Sequence, residues 1–306
     1  MTLEQLRIFV AVAAREHVTQ GARDLNLTQS ATSAAIAALE AQYATRLFDR
    51  IGRRIALTEA GRVFLVEARA VLARAAAAET VLTDLAGLKS GSLILAASQT
   101  VANYWLPPMI GRYQARHPGI AIKVMIGNTE AVAGLVQEGA ADIGYIEGAI
   151  DDPTLSISPV ADDDLVLVVH PAHPWATRAP LPRNFATARW ILRERGSGTR
   201  SMFEAALPGL GVDPRQLNVA LELPSNEAVR SAVEAGAGVT VVSRLVVAAA
   251  IKAGTLVAVD VAMPKRQFFT LRHKERYVTQ AGQEFDRLVA EGVPPAQVSQ
   301  ATIALI

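Results

Sequence analysis

The chain has 306 residues, a formal net charge of +1, 51% hydrophobic and 19% charged residues, and no cysteine. At roughly 100–200 residues per domain this is about two domains with full cores, not a disordered chain. Without cysteine there is no disulfide framework, thiol nucleophile or thiolate zinc site. No apolar run is longer than Leu245 to Ile251, which is bracketed by Arg244 and Lys252. That is far short of the about 20 residues a membrane helix needs. The first residues carry Glu4 ahead of their apolar stretch and no small-residue cleavage site, so no signal peptide is expected and the address is cytoplasmic.

Leu3, Leu6, Phe9, Val10 and Ala13 recur at helical spacing and predict a first helix. Thr19 is the expected cap of a short second helix ending near Leu25, with Asn26-Leu27 as the turn. Thr28 suits the N-cap of a third helix, whose buried side is Ala31, Ile36 and Leu39. Short helix, turn and third helix describe a helix-turn-helix, whose second helix enters the DNA major groove. Leu47-Phe48 packs back, and Arg50, Arg53 and Arg54 follow around Gly52 with Ile55 and Leu57 alternating. That stretch reads as a wing whose arginines face phosphates or the minor groove. Thr28, Gln29, Ser30, Thr32 and Ser33 are the candidate base-contacting groups of the third helix. The alternatives are a solvated charge cluster for the arginines, and capping and surface solvation for Gln29 and Ser33.

From Thr58 to about Leu88 no proline occurs, and Phe64, Ala68, Val71, Ala75, Ala78, Leu82 and Leu85 alternate spacings of four and three. This heptad seam predicts a helix paired with another helix. The breakers Lys89-Ser90-Gly91-Ser92 then mark a boundary.

Beyond it, β-rich runs alternate with helical segments: 93–97, 120–126, 142–146, 165–170, 190–193, 219–223, 239–242 and 268–272. The pattern predicts an α/β domain with a mostly parallel sheet, long enough for two lobes. Such domains bind ligands where strand C-termini meet helix N-termini. Three junctions carry hydroxyls there: Ser98-Gln99-Thr100, Gly196-Ser197-Gly198-Thr199-Arg200 and Pro224-Ser225-Asn226-Glu227. They suit an anion held by N–H and O–H donors, while helix capping is the plainer alternative, above all for Ser225. His170 and His173 have metal-ligand spacing, but no third ligand lies near and no metal is expected. Asp162-Asp163-Asp164 reads as a solvated strand entry. No nucleophile elbow, P-loop or dinucleotide fingerprint occurs, and neither an enzyme nor a cofactor is expected.

The chain resembles the LysR-type transcriptional regulators. The resemblance is carried by Leu6-Arg7-Ile8-Phe9, Thr28-Gln29-Ser30-Ala31-Thr32-Ser33, Leu39-Glu40, Leu47-Phe48-Asp49-Arg50 and Leu57-Thr58-Glu59-Ala60-Gly61, and it continues through the C-terminal domain. Ala34 stands where many members have a long polar base-reading side chain, so the operator cannot be borrowed from relatives. The resemblance implies an all-α winged helix-turn-helix over 1–58, a dimerising linker helix over 59–89, and a periplasmic-binding-protein-like α/β effector domain over 90–306. Lobe I would hold about 90–161 and 268–306, and lobe II about 162–267. It places Ser98, Thr100 and Thr199 along the cleft between the lobes, with Glu147 and Arg193 near its mouth, and the junction at Ser98-Gln99-Thr100 adds Gln99 as a candidate effector contact. Arg193 is read either as a partner for an effector oxyanion or as a salt bridge to Glu147 or Glu194. The implied partners are double-stranded promoter DNA, a small, anionic effector, RNA polymerase, and further copies of the chain as a dimer of dimers. A solute-binding protein whose helical module serves only assembly is the alternative reading.

Overall fold

A computed structural model describes residues 1–51, 54–85, 91–148 and 150–292, with backbone alone for Arg50, Ile51, Arg54, Thr80 and residues 83–85. Arg53, the boundary residues Lys89-Ser90 and the end of the chain after Gly292 therefore lie outside the described residues, as does the Leu85 side chain. The chain divides into two compact units, one helical and one α/β.

In the helical unit, α1 (Leu3–Arg15) opens with a capping box in which Thr2 and Gln5 satisfy each other's backbone N–H groups. Leu6, Phe9 and Val12 are fully buried along it. The short helix α2 (Val18–Asp24) begins after His17, not at Thr19, and His17 makes no side-chain cap. Asn26 has φ 57°, a left-handed turn that asparagine tolerates better than most residues. Thr28 then caps α3 (Gln29–Gln42) by accepting from Ala31 N, as its sequence position predicts. The strands β1 (Phe48–Ile51) and β2 (Arg54–Leu57) form an antiparallel hairpin, the expected wing. Glu40 holds its base: Oε1 accepts from Leu47 N and Phe48 N at 2.7 and 3.1 Å.

The linker helix α4 (Glu59–Leu85) starts under Thr58, which accepts from Gly61 N. A Cβ at Gly61 would lie 2.1 Å from Leu47 O, so only glycine lets the helix start this close to the wing. The expected seam divides here. Phe64 and Ala68 join Leu6, Phe9, Leu39 and Leu47 in the unit's own core, whereas Val71 and Leu82 are exposed, Leu82 by 70%.

The α/β unit is built on β3 (Gly91–Ser98), β4 (Ile120–Gly127), β5 (Ile143–Glu147), β6 (Leu155–Val169), β7 (Arg189–Arg193), β8 (Asn218–Leu223), β9 (Val239–Ser243), β10 (Val257–Val259) and β11 (Lys265–His273). Its helices are α5 (Pro107–Arg116), α6 (Thr129–Glu138), α7 (Gly198–Ala206), α8 (Asn226–Glu234), α9 (Arg244–Ala253) and α10 (Gln280–Gly292), with a turn of π-helix at Val101–Trp105. The sheet order is β4-β3-β5-β11-β6-β9-β7-β8, with β10 also on β6. The outer pairs β3/β4, β3/β5, β7/β8 and β7/β9 are parallel. The centre is antiparallel, so the sheet is mixed and not mostly parallel as expected.

The reason is the length of β6. Over Leu155–Asp164 it pairs with β11, and over Leu165–Val169 with β9, so one strand serves both halves of the unit. Its second half, Leu-Val-Leu-Val-Val, is buried on both faces, which a continuous aliphatic run permits. Leu165, Leu167 and Val169 pack with Trp190 and Phe203, while Val166 and Val168 pack with Ile191, Val229 and Val247. In the other half, Leu93, Leu95, Tyr145 and Phe268 meet Phe285 on one face, and Ala96, Ile146 and Leu271 meet Val132 and Val136 on the other.

Candidate DNA-binding and effector sites

On the helical unit, Thr28, Gln29 and Ser30 are exposed at the start of α3 and Ser33 is half-buried behind them. Gln29 Nε2 donates to Ser33 Oγ at 3.2 Å, and the Thr28 and Ser30 hydroxyls lie 3.1 Å apart. Thr32 departs from this group. It is fully buried and its Oγ1 has no partner among the described residues, because Thr32, Ile36 and Leu39 fall on the inward face of α3. Its position on that face removes it from the candidate base contacts. Of the wing arginines, Arg50 pairs with Ile55 and Arg54 with Ile51 in the hairpin register.

In the α/β unit, the C-terminal ends of β3, β5 and β7 meet the N-termini of α7 and α8. Ser98 closes β3, Glu147 closes β5 and Arg193 closes β7. Thr199 lies in the first turn of α7, and Asn226 opens α8 after Ser225, which caps it by accepting from Ala228 N. Ser98, Thr100, Glu147, Arg193, Thr199 and Asn226 are all buried. Glu147 and Arg193 therefore stand inside, 1% and 3% exposed, not at a cleft mouth.

The Glu147 carboxylate is the centre of the cluster. Oε2 accepts from the Ser98 hydroxyl, and Oε1 from Thr100 and Thr199 at 3.2 and 3.4 Å. Neither threonine caps a helix with its side chain. Thr100 Oγ1 also accepts from Asn226 Nδ2 at 3.1 Å, and Arg193 Nη1 donates to Asn226 Oδ1 at 2.6 Å. Arg193 forks onto Glu194 with two 2.8 Å bonds, the second of its two expected pairings. Burial alone would raise the Glu194 carboxyl, but the hydrogen bonds and charge of Arg193 outweigh it and hold the group below the usual carboxylate range.

Residues from the two halves are clasped on either side of this cluster. Gln99 bridges to the Pro224 carbonyl and accepts from Asn226 N. Tyr104 donates to Glu227 at 2.9 Å; burial first, then this acceptor, pushes the phenol up to about 12. On the other flank Thr129 donates to the Glu147 carbonyl. A Cβ at Gly198 would stand 2.0 Å from that carbonyl oxygen and 2.6 Å from Thr129 Oγ1, so glycine is what allows α7 to start against β5. Beside this junction lies a cavity of about 530 Å³ lined by Thr129, Glu130, Gly148, Gly198, Ser201 and Met202.

Two further members escape a reading of strand-to-helix junctions. Arg266, fully buried in β11, donates through Nε to Asp163 at 2.6 Å and through Nη1 to Thr199 at 3.0 Å, and lies 4.0 Å from Glu147. Asp163 also accepts from Ser243 at 2.7 Å, so the aspartate run is not wholly solvated: Asp162 and Asp164 face out and Asp163 in. Strand alternation through Asp162-Asp163-Asp164 was the available signal. His170 and His173, by contrast, each use Nδ1 to accept a backbone N–H two residues on.

The two units thus make a helix-turn-helix protein with a mixed α/β sensor domain, the class of effector-responsive, DNA-binding regulators. Comparison with known proteins agrees. Residues 3–62 match the bacterial regulatory helix-turn-helix protein, lysR family, and residues 86–294 match the LysR substrate binding domain. The chain belongs to the LysR family of transcriptional regulators, which are not enzymes. It is 36% identical over 287 residues to the uncharacterized HTH-type transcriptional regulator YeiE of Escherichia coli strain K12, covering 93% of this chain and 96% of that protein. Its fold is like that of full-length CbnR in complex with its target DNA, at 22% identity and TM-score 0.69, covering 95% of this chain and 99% of that one. The regulatory domain of Synechocystis PCC6803 CcmR in complex with 2-PG is 26% identical with TM-score 0.60, covering 66% of this chain and 97% of that one. Among the described residues no helix is long and apolar enough to cross a membrane.

Proposed function

We propose that the chain is a cytoplasmic transcriptional regulator that reads promoter DNA through α3 and the wing and senses a small metabolite through an oxyanion group. The observation that carries this is the cluster at Glu147: hydroxyls from Ser98, Thr100 and Thr199 converge on one carboxylate. A cradle that holds a carboxylate is suited to a ligand's carboxylate or phosphate, and the adjoining cavity of about 530 Å³ has room for the rest of a small molecule. The CcmR regulatory domain, of like fold, is in complex with 2-PG, which supports a small-molecule effector for this domain.

On this reading, residues 1–58 bind DNA and 59–89 form the linker helix. Residues 90–306 sense, with lobe I at about 90–161 and 268–306 and lobe II at about 162–267. Gln29, Ser30 and Ser33 face bases, Thr28 holds the helix start, and Arg50, Arg53 and Arg54 face phosphates. Exposed Val71, Ala78 and Leu82 on α4 are the face that pairs two chains, and dimers join into a tetramer. An effector that fits one arrangement of the lobes better shifts the population of conformers, and with it the spacing of the DNA-binding heads or their contact with RNA polymerase.

The test begins by sequencing genomic fragments retained by the purified protein, whose genes suggest effectors for a promoter reporter. Thr100→Val and Thr199→Val keep shape and remove one donor each, which costs about 1–3 kcal/mol of ligand binding. Loss of the effector response in both is the expected result. A normal response in both would place sensing elsewhere.

A further inference from the structure

The donors that would receive an oxyanion are already engaged. Ser98, Thr100 and Thr199 all give their hydroxyls to Glu147, which is 1% exposed. The surrounding charge does not favour a further anion either: the guanidiniums of Arg193 and Arg266 stand among the three carboxylates of Glu147, Asp163 and Glu194. One strong donor is nevertheless left over. Arg266 Nη2 is buried and has no hydrogen-bond partner among the described residues, although Nε and Nη1 of the same group are used. A buried guanidinium N–H without an acceptor is costly, and it marks a place where an oxygen is wanted.

We propose that Glu147 is an internal ligand of the effector site. In the effector-free domain its carboxylate occupies the oxyanion subsite, and an effector binds by displacing it. The hydroxyls pass to the effector, and the freed carboxylate turns toward Arg266, whose Nη1 is already 4.0 Å away and whose Nη2 is unspent. No proton is transferred in this exchange; one acceptor replaces another.

A competitor tethered beside its subsite acts at high effective concentration. Glu147 therefore sets a threshold. Abundant simple oxyanions, which offer only the charge, fail to displace it. An effector with further groups for the adjoining cavity gains the additional contacts needed to do so. This rests on the reading of the cluster as the effector site, and it adds that the site's selectivity lies in a residue that must leave.

The experiment uses the full-length protein and three probes: inorganic sulfate, inorganic phosphate and acetate. Wild type, Glu147→Ala and Glu147→Gln are compared by titration calorimetry and by the shift in thermal midpoint with each anion. The variants are expected to bind at least one of the three tenfold or more tightly than wild type, and the arm that responds identifies the favoured oxyanion geometry. Equal or weaker binding of all three by the variants overturns the proposal and makes Glu147 a fixed part of the receptor. Should Glu147→Ala not fold, Glu147→Gln keeps the volume and one acceptor oxygen and carries the comparison. DNA retention by the wild-type protein is measured alongside. Its failure would count against the regulator reading, whereas absent anion gain with DNA binding intact counts against this proposal alone.

Discussion

Replacing Arg266 tests whether the polar cluster is as tightly coupled as its distances indicate. Arg266→Met removes the guanidinium and leaves Asp163, itself buried, with only the 2.7 Å bond from Ser243 among its side-chain partners in the described residues. Breaking a buried pair on one side costs about 3–5 kcal/mol, because the remaining charge is uncompensated. The Ser243 bond places Arg266→Met near the lower end of that range. Asp163→Leu leaves Arg266 with Thr199 at 3.0 Å and the Glu147 carboxylate at 4.0 Å, so its charge keeps a counter-ion, and the cost is expected to be no larger than that of Arg266→Met. The double variant removes both charges and leaves neither stranded. It is expected to be less destabilised than the sum of the singles by about 1–3 kcal/mol, the coupling seen for residues in one network. Urea unfolding followed by tryptophan fluorescence measures this cleanly. The chain has three tryptophans, Trp105, Trp175 and Trp190, and all lie in the α/β unit, so the signal reports that unit. Singles that add within about 0.5 kcal/mol would refute the coupling and the burial of the pair with it.

Other consequences can be measured separately. Ala75→Glu puts a charge on the proposed pairing face of α4; light scattering should show loss of the normal oligomer, and an unchanged mass would move the seam. Gly198→Ala forces a Cβ to within 2.0 Å of the Glu147 carbonyl, so it should lower stability by about 1–3 kcal/mol or more and weaken effector binding together; a wild-type melting curve would contradict the close contact. Glu194 is held below its ordinary range by Arg193, so its stabilisation is complete above about pH 4.3 and is lost as pH falls through the lower folded value. Unfolding free energies of Glu194→Gln should accordingly fall less steeply with acid in that window than those of wild type.

Much of this architecture could be read from residue spacing. Thr28 as a cap, the turn at Asn26, the wing and the strand-to-helix junctions each follow from local rules, and local rules suffice where one residue's chemistry decides one turn. What failed was decided by residues distant in sequence. Phe64 and Ala68 carry the same heptad spacing as Val71 and Leu82, and only packing against α1 shows that the first two are already satisfied. Thr32 looks like its neighbours Ser30 and Ser33 until the inward face of α3 is fixed by Ile36 and Leu39. The central antiparallel strands escaped because the three aspartates read as a solvated entry to a strand at 165–170, yet β6 runs unbroken from Leu155 to Val169.

The cluster around Glu147 shows why hydroxyl groups in a sequence do not reveal which acceptor they serve. Ser98, Thr100 and Thr199 signal a need for an acceptor, and a hydroxyl pattern is the same whether the acceptor belongs to a metabolite or to the chain. Asp163 and Arg266 lie 103 residues apart, and nothing near either one indicates the other. They meet because β6 and β11 run antiparallel, with Asp163 opposite Arg266 in the register. That pairing lies where β6 leaves β11 for β9, just before Leu165. A buried ion pair at such a crossover ties the polar cluster to the strands that join the two halves. On the proposed reading, an effector that changes the partners of Arg266 acts on the strands that join the two halves.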